Sequence, residues 1–338
     1  MKNNLSLILF LLISFNSFLQ NNIDRIIDSE IFKYKSLDSS TFKSFSDKKV
    51  VFTDLGFSAA PFSIQFDDTL SQKEVLKYRN NSRSVVGFGI SYKWFSLRVS
   101  LNLPGYTRPV SKFGESQYLD FGVDFNTKKH YYDIDLHNYK GYAIKNAFQW
   151  NDSLSSSQPH AIYQNLSASS LSVNTWRFLN KNIKMSLLRG KTGLYLKEQK
   201  SIYIKTTFNY HQVHNSSGII PEELRYITNS KLESTLIRSY DIGLLPGYVY
   251  VNRIKNIQFS GMFGFGPVLQ VKGYTYNNQE KAIIGIAPRY DFRFLLGYNV
   301  PKYFVNIVSE FDNKSIRFND LKYRQTYYTL KLIAGIRF

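Results

Sequence analysis

Charged residues recur at two-residue spacing in this chain, and that spacing limits what chemistry they can do. Asp120, Asp124, Asp133 and Asp135 stand among Phe121, Val123 and Ile134, and Arg289, Asp291 and Arg293 alternate with Tyr290 and Phe292. Side chains at i and i+2 share one face of a strand, so each set presents its charges on one side and grease on the other. The same parity adds Arg98, Glu310, Lys331 and Arg337 to the charged face. Such a face can select ions in a water-filled lumen, or its charges can pair and stiffen a wall. His211 also falls on a polar strand face, where a histidine and a serine on a barrel wall could hydrolyse lipid. Geometry rather than composition defines such a site, and the chain has no G-x-S-x-G, H-E-x-x-H or P-loop. His130 and His137 have opposite parity and point to opposite faces, and cysteine is absent. No catalytic residue, cofactor or metal ligand is therefore assigned. The candidates are the ten lumen-facing charges Arg98, Asp120, Asp124, Asp133, Asp135, Arg289, Asp291, Arg293, Lys331 and Arg337.

The elements that must carry them are long strands. At the C-terminus one parity reads Tyr328, Leu330, Leu332, Ala334, Ile336 and Phe338, and the other Tyr327, Thr329, Lys331, Ile333, Gly335 and Arg337. That pattern predicts a strand between lipid and a polar interior. Val51 to Ala59 makes a weak first strand, and clean alternation recurs in the hairpins Val86 to Leu103 and Leu119 to Leu136 and from Tyr240 to Phe311. Weaker alternation places strands near Leu171 to Phe178, Ile183 to Tyr195 and Ile202 to Gln212. Asp67 to Asn81 and Gly141 to Ser167 read as loops, His214 to Thr235 as a loop or a short strand, and Pro246 and Pro267 require bulges or weak pairing. Short turns alternate with longer connections at Pro104 to Glu115, Gly141 to Ser167, Gly273 to Lys281 and Asn313 to Leu321. The reading is all-β: an antiparallel, up-and-down transmembrane β-barrel of about 12 strands, with about 10 to 14 admissible. A secreted β-sandwich is the alternative, and it would use strands of about five or six residues.

Lys2 precedes the apolar run Leu5 to Phe15, which has the length of a signal-peptide core and is too short to span a bilayer as a helix. The expected organisation is a cleaved signal over residues 1–20, a periplasmic segment over 21–49 and an outer-membrane barrel over 50–338. With 25 Tyr and 27 Phe against 3 Trp, aromatic residues make up 16% of the chain, a share suited to girdles at both membrane interfaces. The formal charge of +18 calls for anionic surroundings. Lys and Arg are scattered rather than gathered in a stripe, and an export signal argues against nucleic acid. Outer-membrane lipid, lipopolysaccharide phosphates and anionic solutes remain as partners, together with the barrel-assembly machinery acting on the strand that ends at Phe338.

The segments KYRNNSRSVVGFGISYKW (Lys77 to Trp94), TKKHYYDIDLHNYKGY (Thr127 to Tyr142), KEQKS (Lys197 to Ser201), LGYNVPKYFV (Leu296 to Val305) and AGIRF (Ala334 to Phe338) together resemble a family of outer-membrane barrel proteins. That family is known from Bacteroidetes-type bacteria and catalogued as domain of unknown function 4421. Asn80 departs from its pattern, which favours Pro at that place. The resemblance implies an envelope barrel and carries no activity with it. The sequence leaves open a channel or structural barrel, a surface-binding barrel acting through its extracellular loops, and an outer-membrane lipid hydrolase. It also predicts that Lys331→Gln, in the lumen, is tolerated where Leu332→Arg, facing lipid, is not.

Overall fold

Alternating side chains rich in aromatic and β-branched residues make strands of most segments that the periodicity marks. The computed structural model describes residues 40–67, 73–81, 84–106, 108–149, 151, 153–155, 160–222, 231–319 and 321–338. The expected signal segment, and the segment after it up to residue 39, lie outside the described residues. The chain starts with β1 (Phe42–Ser44), β2 (Val50–Ala59), β3 (Phe62–Asp67), β4 (Lys73–Arg79), β5 (Ser84–Tyr92) and β6 (Phe95–Asn102). It continues through β7 (Gln117–Asn126), β8 (Tyr131–Ile144), β9 (Ala161–Phe178), β10 (Gly193–Tyr195) and β11 (Gln199–His214). The last strands are β12 (Leu236–Ile254), β13 (Ile257–Tyr276), β14 (Gln279–Asn299), β15 (Tyr303–Arg317) and β16 (Leu321–Arg337). Among the described residues two short α-helices, α1 (Val110–Phe113) and α2 (Met185–Leu188), sit in connections.

Twelve antiparallel strands close a ring, running β2, β5, β6, β7, β8, β9, β11, β12, β13, β14, β15, β16 and back to β2. Closure runs from Arg337↔Val50 to Tyr328↔Ala59, so no sheet edge is left there. On β16, Leu330, Leu332 and Ile336 are 52, 47 and 54% exposed, while Lys331 and Arg337 are 3% exposed. A continuous exposed apolar belt around a closed barrel is the surface a membrane requires. Tyr290 stacks on Phe311 with centroids 5.8 Å apart, and Tyr298 on Tyr303 at 6.0 Å. Along β14 these two aromatic pairs are separated by a span that fits the ~9–11 residues of a tilted transmembrane strand. The protein is thus an outer-membrane type of barrel. The turns around Lys93, Thr127, Lys255 and Lys302 share the rim of the barrel's two ends, the periplasmic rim in such proteins.

Several expected loops and strands turn out differently. Within the expected Asp67 to Asn81 loop, Lys73–Arg79 form a strand: β3 continues β2 past Pro61 and β4 pairs with β3 and then with β8 at Tyr78↔Ile144 and Arg79↔Ala143. This hairpin stands in the extracellular wall above β5, β6 and β7, and its inward Phe62, Ile64, Phe66, Leu76 and Tyr78 head a large buried cluster. Ile183 to Tyr195 is not a wall strand. Met185, Leu187 and Leu188 of α2 pack inside the periplasmic mouth against Tyr131, Trp176, Tyr203, Val249, Val251 and Met262. Two adjacent buried leucines cannot belong to one strand face, and Gly190 at φ 66° turns the chain back before β10 pairs with β1. Gly273 to Lys281 is not a long loop either, because Asn277 and Asn278 at φ 47° and 58° form a tight hairpin turn. Asn313 to Leu321 likewise lies mostly in β15. At Pro246 and Pro267 the β12–β13 ladder lapses between Gly243↔Val268 and Gly247↔Gly264 without changing register.

Leu332→Arg places a charge in the lipid belt, where it costs ~2–4 kcal/mol near the midplane. The variant is expected to lower the yield of folded, heat-modifiable protein in the outer membrane. A yield equal to that of the wild type would mean that this face of β16 does not meet lipid.

Candidate functional site

Every strand of the ring sends alternate side chains inward, so the charges of many separate segments meet in one lumen. Asp120, 1% exposed, gathers the most partners: Arg98 Nη2 at 3.0 Å, Tyr118 Oη at 2.9 Å, His137 Nδ1 at 3.3 Å and Lys331 Nζ at 3.5 Å. Lys331 also lies 3.3 Å from Asp54, and Arg98 lies 3.8 Å from Asp135. A chain of polar groups continues from His137 Nδ1 to Tyr327 Oη at 2.9 Å, then to Ser58 Oγ at 3.3 Å and Tyr139 Oη at 2.8 Å.

A second group forms where α2 and the residues after it enter the barrel. Arg189 donates to Asp124 at 3.0 Å and to Asp133 at 2.8 Å, and Lys191 lies 3.7 Å from Asp124. Arg293 reaches Asp133 at 3.2 Å and Glu310 at 3.6 Å while its guanidinium lies 4.8 Å over Trp176. Elsewhere Arg289 bonds Asp241 and the Asn313 carbonyl, and Asp291 faces Lys205 at 3.5 Å. Among the described residues Arg337 pairs with no carboxylate. It donates to the carbonyls of Gly190 at 2.6 Å and Lys191 at 2.7 Å, and so ties the end of β16 to the segment in the periplasmic mouth. Asn299 adds bonds to the carbonyls of Gly190 at 3.1 Å and Gly193 at 3.0 Å.

All ten charges named from the sequence line the interior, but they form several clusters rather than one ring. Sequence reasoning missed Asp54, Asp241, Lys205 and Lys314, each on the inward parity of its strand, where Lys314 follows Glu310 and Asp312 at two-residue spacing. It also missed Arg189 and Lys191, which stand outside any strand and which, in the strand expected over Ile183 to Tyr195, share the parity of its apolar residues. Asp120, Asp135 and His137 bring ligand atoms within 4.8 Å of one another. Arg98 and Lys331 already supply the positive charge at that point, so the cluster offers no vacant place for a metal ion.

His211 is 1% exposed, with Nδ1 3.7 Å from Asp241. Ser170 and Ser239 lie directly across from it on the two neighbouring strands. Ser239 donates to Asp241 at 2.5 Å and Ser170 accepts from Lys314 at 2.8 Å, so neither hydroxyl bonds the ring. A nucleophile and base need that bond, and the hydrolase reading gains no support here.

The room left among these groups is small. A cavity of about 40 Å³ lies between Asp135, His137, Lys205, Asp291, Arg293 and Lys314. Above it the lumen is filled by the buried cluster to which Tyr139, Tyr142, Tyr323, Phe318, Ile219, Ile220 and Leu232 belong, with Tyr78 Oη donating to the Ile219 carbonyl at 2.8 Å. Below it stand α2 and the β1–β10 pair.

A closed, lipid-facing ring with a packed interior defines an outer-membrane β-barrel protein. Within that class, the chain belongs to the family described as domain of unknown function DUF4421, whose family model matches residues 37–338. No curated protein matches it. Among solved structures it is similar to the translocator domain of the autotransporter NalP from Neisseria meningitidis, at 7% identity and TM-score 0.37, covering 95% of each chain. It is similar to the β domain of the Bordetella autotransporter BrkA at 10% identity and TM-score 0.36, covering 84% of this chain and 98% of that one. The P. putida toluene transporter TodX follows at 8% identity and TM-score 0.30, covering 91% and 99%. Likenesses at these scores add nothing to what the ring of strands already establishes.

Burial revises the sequence-based expectation for Lys331. Removing its charge leaves Asp54, itself fully buried, without a counterion, and breaking a buried pair from one side costs about 3–5 kcal/mol. Lys331→Gln is therefore expected to lower the unfolding midpoint of the detergent-solubilised barrel, and Asp54→Asn in the same chain to restore part of the loss. Equal midpoints for Lys331→Gln and the wild type would place the pair in water.

Proposed function

We propose that this protein is a closed envelope barrel that works through its wall and its extracellular surface rather than by conducting solutes at rest. The observation that carries this reading is the filled lumen: an apolar cluster in the extracellular half, paired charges in the middle and α2 with its flanks in the periplasmic mouth. A cavity of about 40 Å³ has room for a water molecule or two, not for a solute path. The charges support the same reading, since each of the ten read from the sequence is engaged by another charge or by backbone carbonyls and so holds the wall together.

Planar-bilayer recordings test it. The wild type is expected to show no steady open level, and replacing residues 181–196 with a Gly/Ser linker of equal length is expected to raise conductance by emptying the periplasmic mouth. A steady open state in the wild type, with ion selectivity that changes in Arg293→Gln, would instead support a channel.

A further inference from the structure

A cavity outside the lumen lies where β4 meets β8. That contact bypasses the tops of β5, β6 and β7, and the connection from β6 to β7, carrying α1, folds over the outer face of the junction. Asn81 holds this connection in place. Its backbone N–H donates to Ser116 Oγ at 2.7 Å and its side-chain amide to the carbonyls of Gly114 at 2.8 Å and Arg108 at 3.3 Å. Between the connection and the wall is a cavity of about 190 Å³ lined by Arg79, Arg108, Phe113, Ala143, Lys145 and His160.

Among the described residues the lining holds three cations and a histidine, and no carboxylate. Arg79 comes from β4, Lys145 from the end of β8, and Arg108 from the connection, so three separate segments converge on it. Among the described residues none of the three cations makes an ion pair, in contrast to Arg98, Arg189, Arg289 and Arg293 in the lumen. Phe113 fixes the other side: the Arg108 guanidinium lies 5.1 Å over its ring and the His160 ring packs against it edge-on at 4.9 Å. His160 Nδ1 accepts the Asn146 N–H at 3.3 Å, which orients the imidazole. Like charges brought around one cavity repel unless an anion joins them, and guanidinium groups suit phosphate oxygens through paired N–H donors.

We infer that this niche binds a phosphate monoester, presented either on a soluble phosphorylated saccharide or on the headgroup of a phosphorylated glycolipid. Its volume is below the ~300 Å³ of a drug-sized site, which matches a single phosphoryl group with part of a sugar rather than a larger solute. Arg79 and Lys145 supply exposed charge and Arg108, half-buried on Phe113, supplies a preset one. The niche faces outward from the barrel wall at its extracellular end, so the lumen plays no part in binding. Conduction and phosphate binding can therefore fail independently.

The test uses the full-length folded barrel. Inorganic phosphate and glucose 6-phosphate are titrated calorimetrically into protein in a non-ionic detergent, and protein in phosphatidylcholine nanodiscs with or without a bisphosphorylated glycolipid is assayed for retained glycolipid by native mass spectrometry. The double variant Arg79→Gln/Arg108→Gln, and separately Lys145→Gln, are expected to weaken binding by about tenfold or more, while Lys77→Gln, on the same strand and outside the cavity, leaves it unchanged; tenfold corresponds to about 1.4 kcal/mol. Heat-modifiable mobility checks that each variant is folded. Variant-sensitive binding of the soluble probes identifies a free phosphorylated solute, and variant-sensitive retention of the glycolipid alone identifies a lipid headgroup. Folded wild type that binds none of the probes, or binding that survives in the double variant, overturns the proposal.

Discussion

A ring of twelve strands encloses more space than its own wall side chains fill, and the rest of this structure answers that constraint. Barrels of about eight strands can close on their own inward residues, whereas wider ones hold water or a plug. This chain fills its interior from three sources. The β3–β4 hairpin and the connection after β11 deliver apolar side chains to the extracellular half. The connection after β9 delivers α2 to the periplasmic half. Between them the strands contribute charge of both signs.

The middle layer is held in place by the other two. An ionised carboxylate away from water is costly unless paired, and several pairs here join segments far apart in sequence. Asp133 is bridged to Arg189 of the plug and to Arg293 of β14, so the plug's position and the wall's shape depend on one carboxylate. Arg337 makes the same connection through hydrogen bonds to plug carbonyls. A water-filled pore would weaken these links through its high dielectric. The packed layers above and below exclude that water, and the charges inside act as fasteners.

Most of the wall was legible because lipid on one side and a polar interior on the other impose a period of two that no other packing demands so strictly. Leu332 and Lys331 show it in adjacent residues. The rule fails wherever one of its two sides is missing. Phe62, Ile64 and Phe66 of β3 face an apolar interior while Ser63 and Gln65 face outward, the reverse of a lipid-facing strand, so the segment was not read as wall. Ile183, Met185 and Leu187 alternate like wall residues but belong to a plug that never meets lipid. The phosphate niche was illegible for another reason: Arg79, Arg108 and Lys145 come together only because β4 reaches β8, a pairing that leaves no local mark.

The seam between β14 and β15 shows how far side chains can stand in for a sheet. The ladder stops at Asp291↔Asp312, and above that pair β14 bonds only β13 and β15 only β16. Pro288 has no N–H to offer, so the ladder could not have continued there unaltered. Asn313 takes its place, accepting from Tyr290 N at 2.7 Å and donating to the Pro288 carbonyl at 3.4 Å. The edge carbonyls of β15 find donors too: Arg289 bonds Asn313, Gln270 bonds Ser315 at 2.8 Å, and Lys272 bonds Arg317. Backbone groups removed from water need partners of some kind, and inward-pointing polar side chains of β13 and β14 supply them. The upper β13–β14 hairpin is thereby released from the ring, and Ile284 and Ile286 stand 70 and 74% exposed. Polar residues inside this barrel therefore have two uses, neutralising one another across the lumen and completing the wall where the strands part.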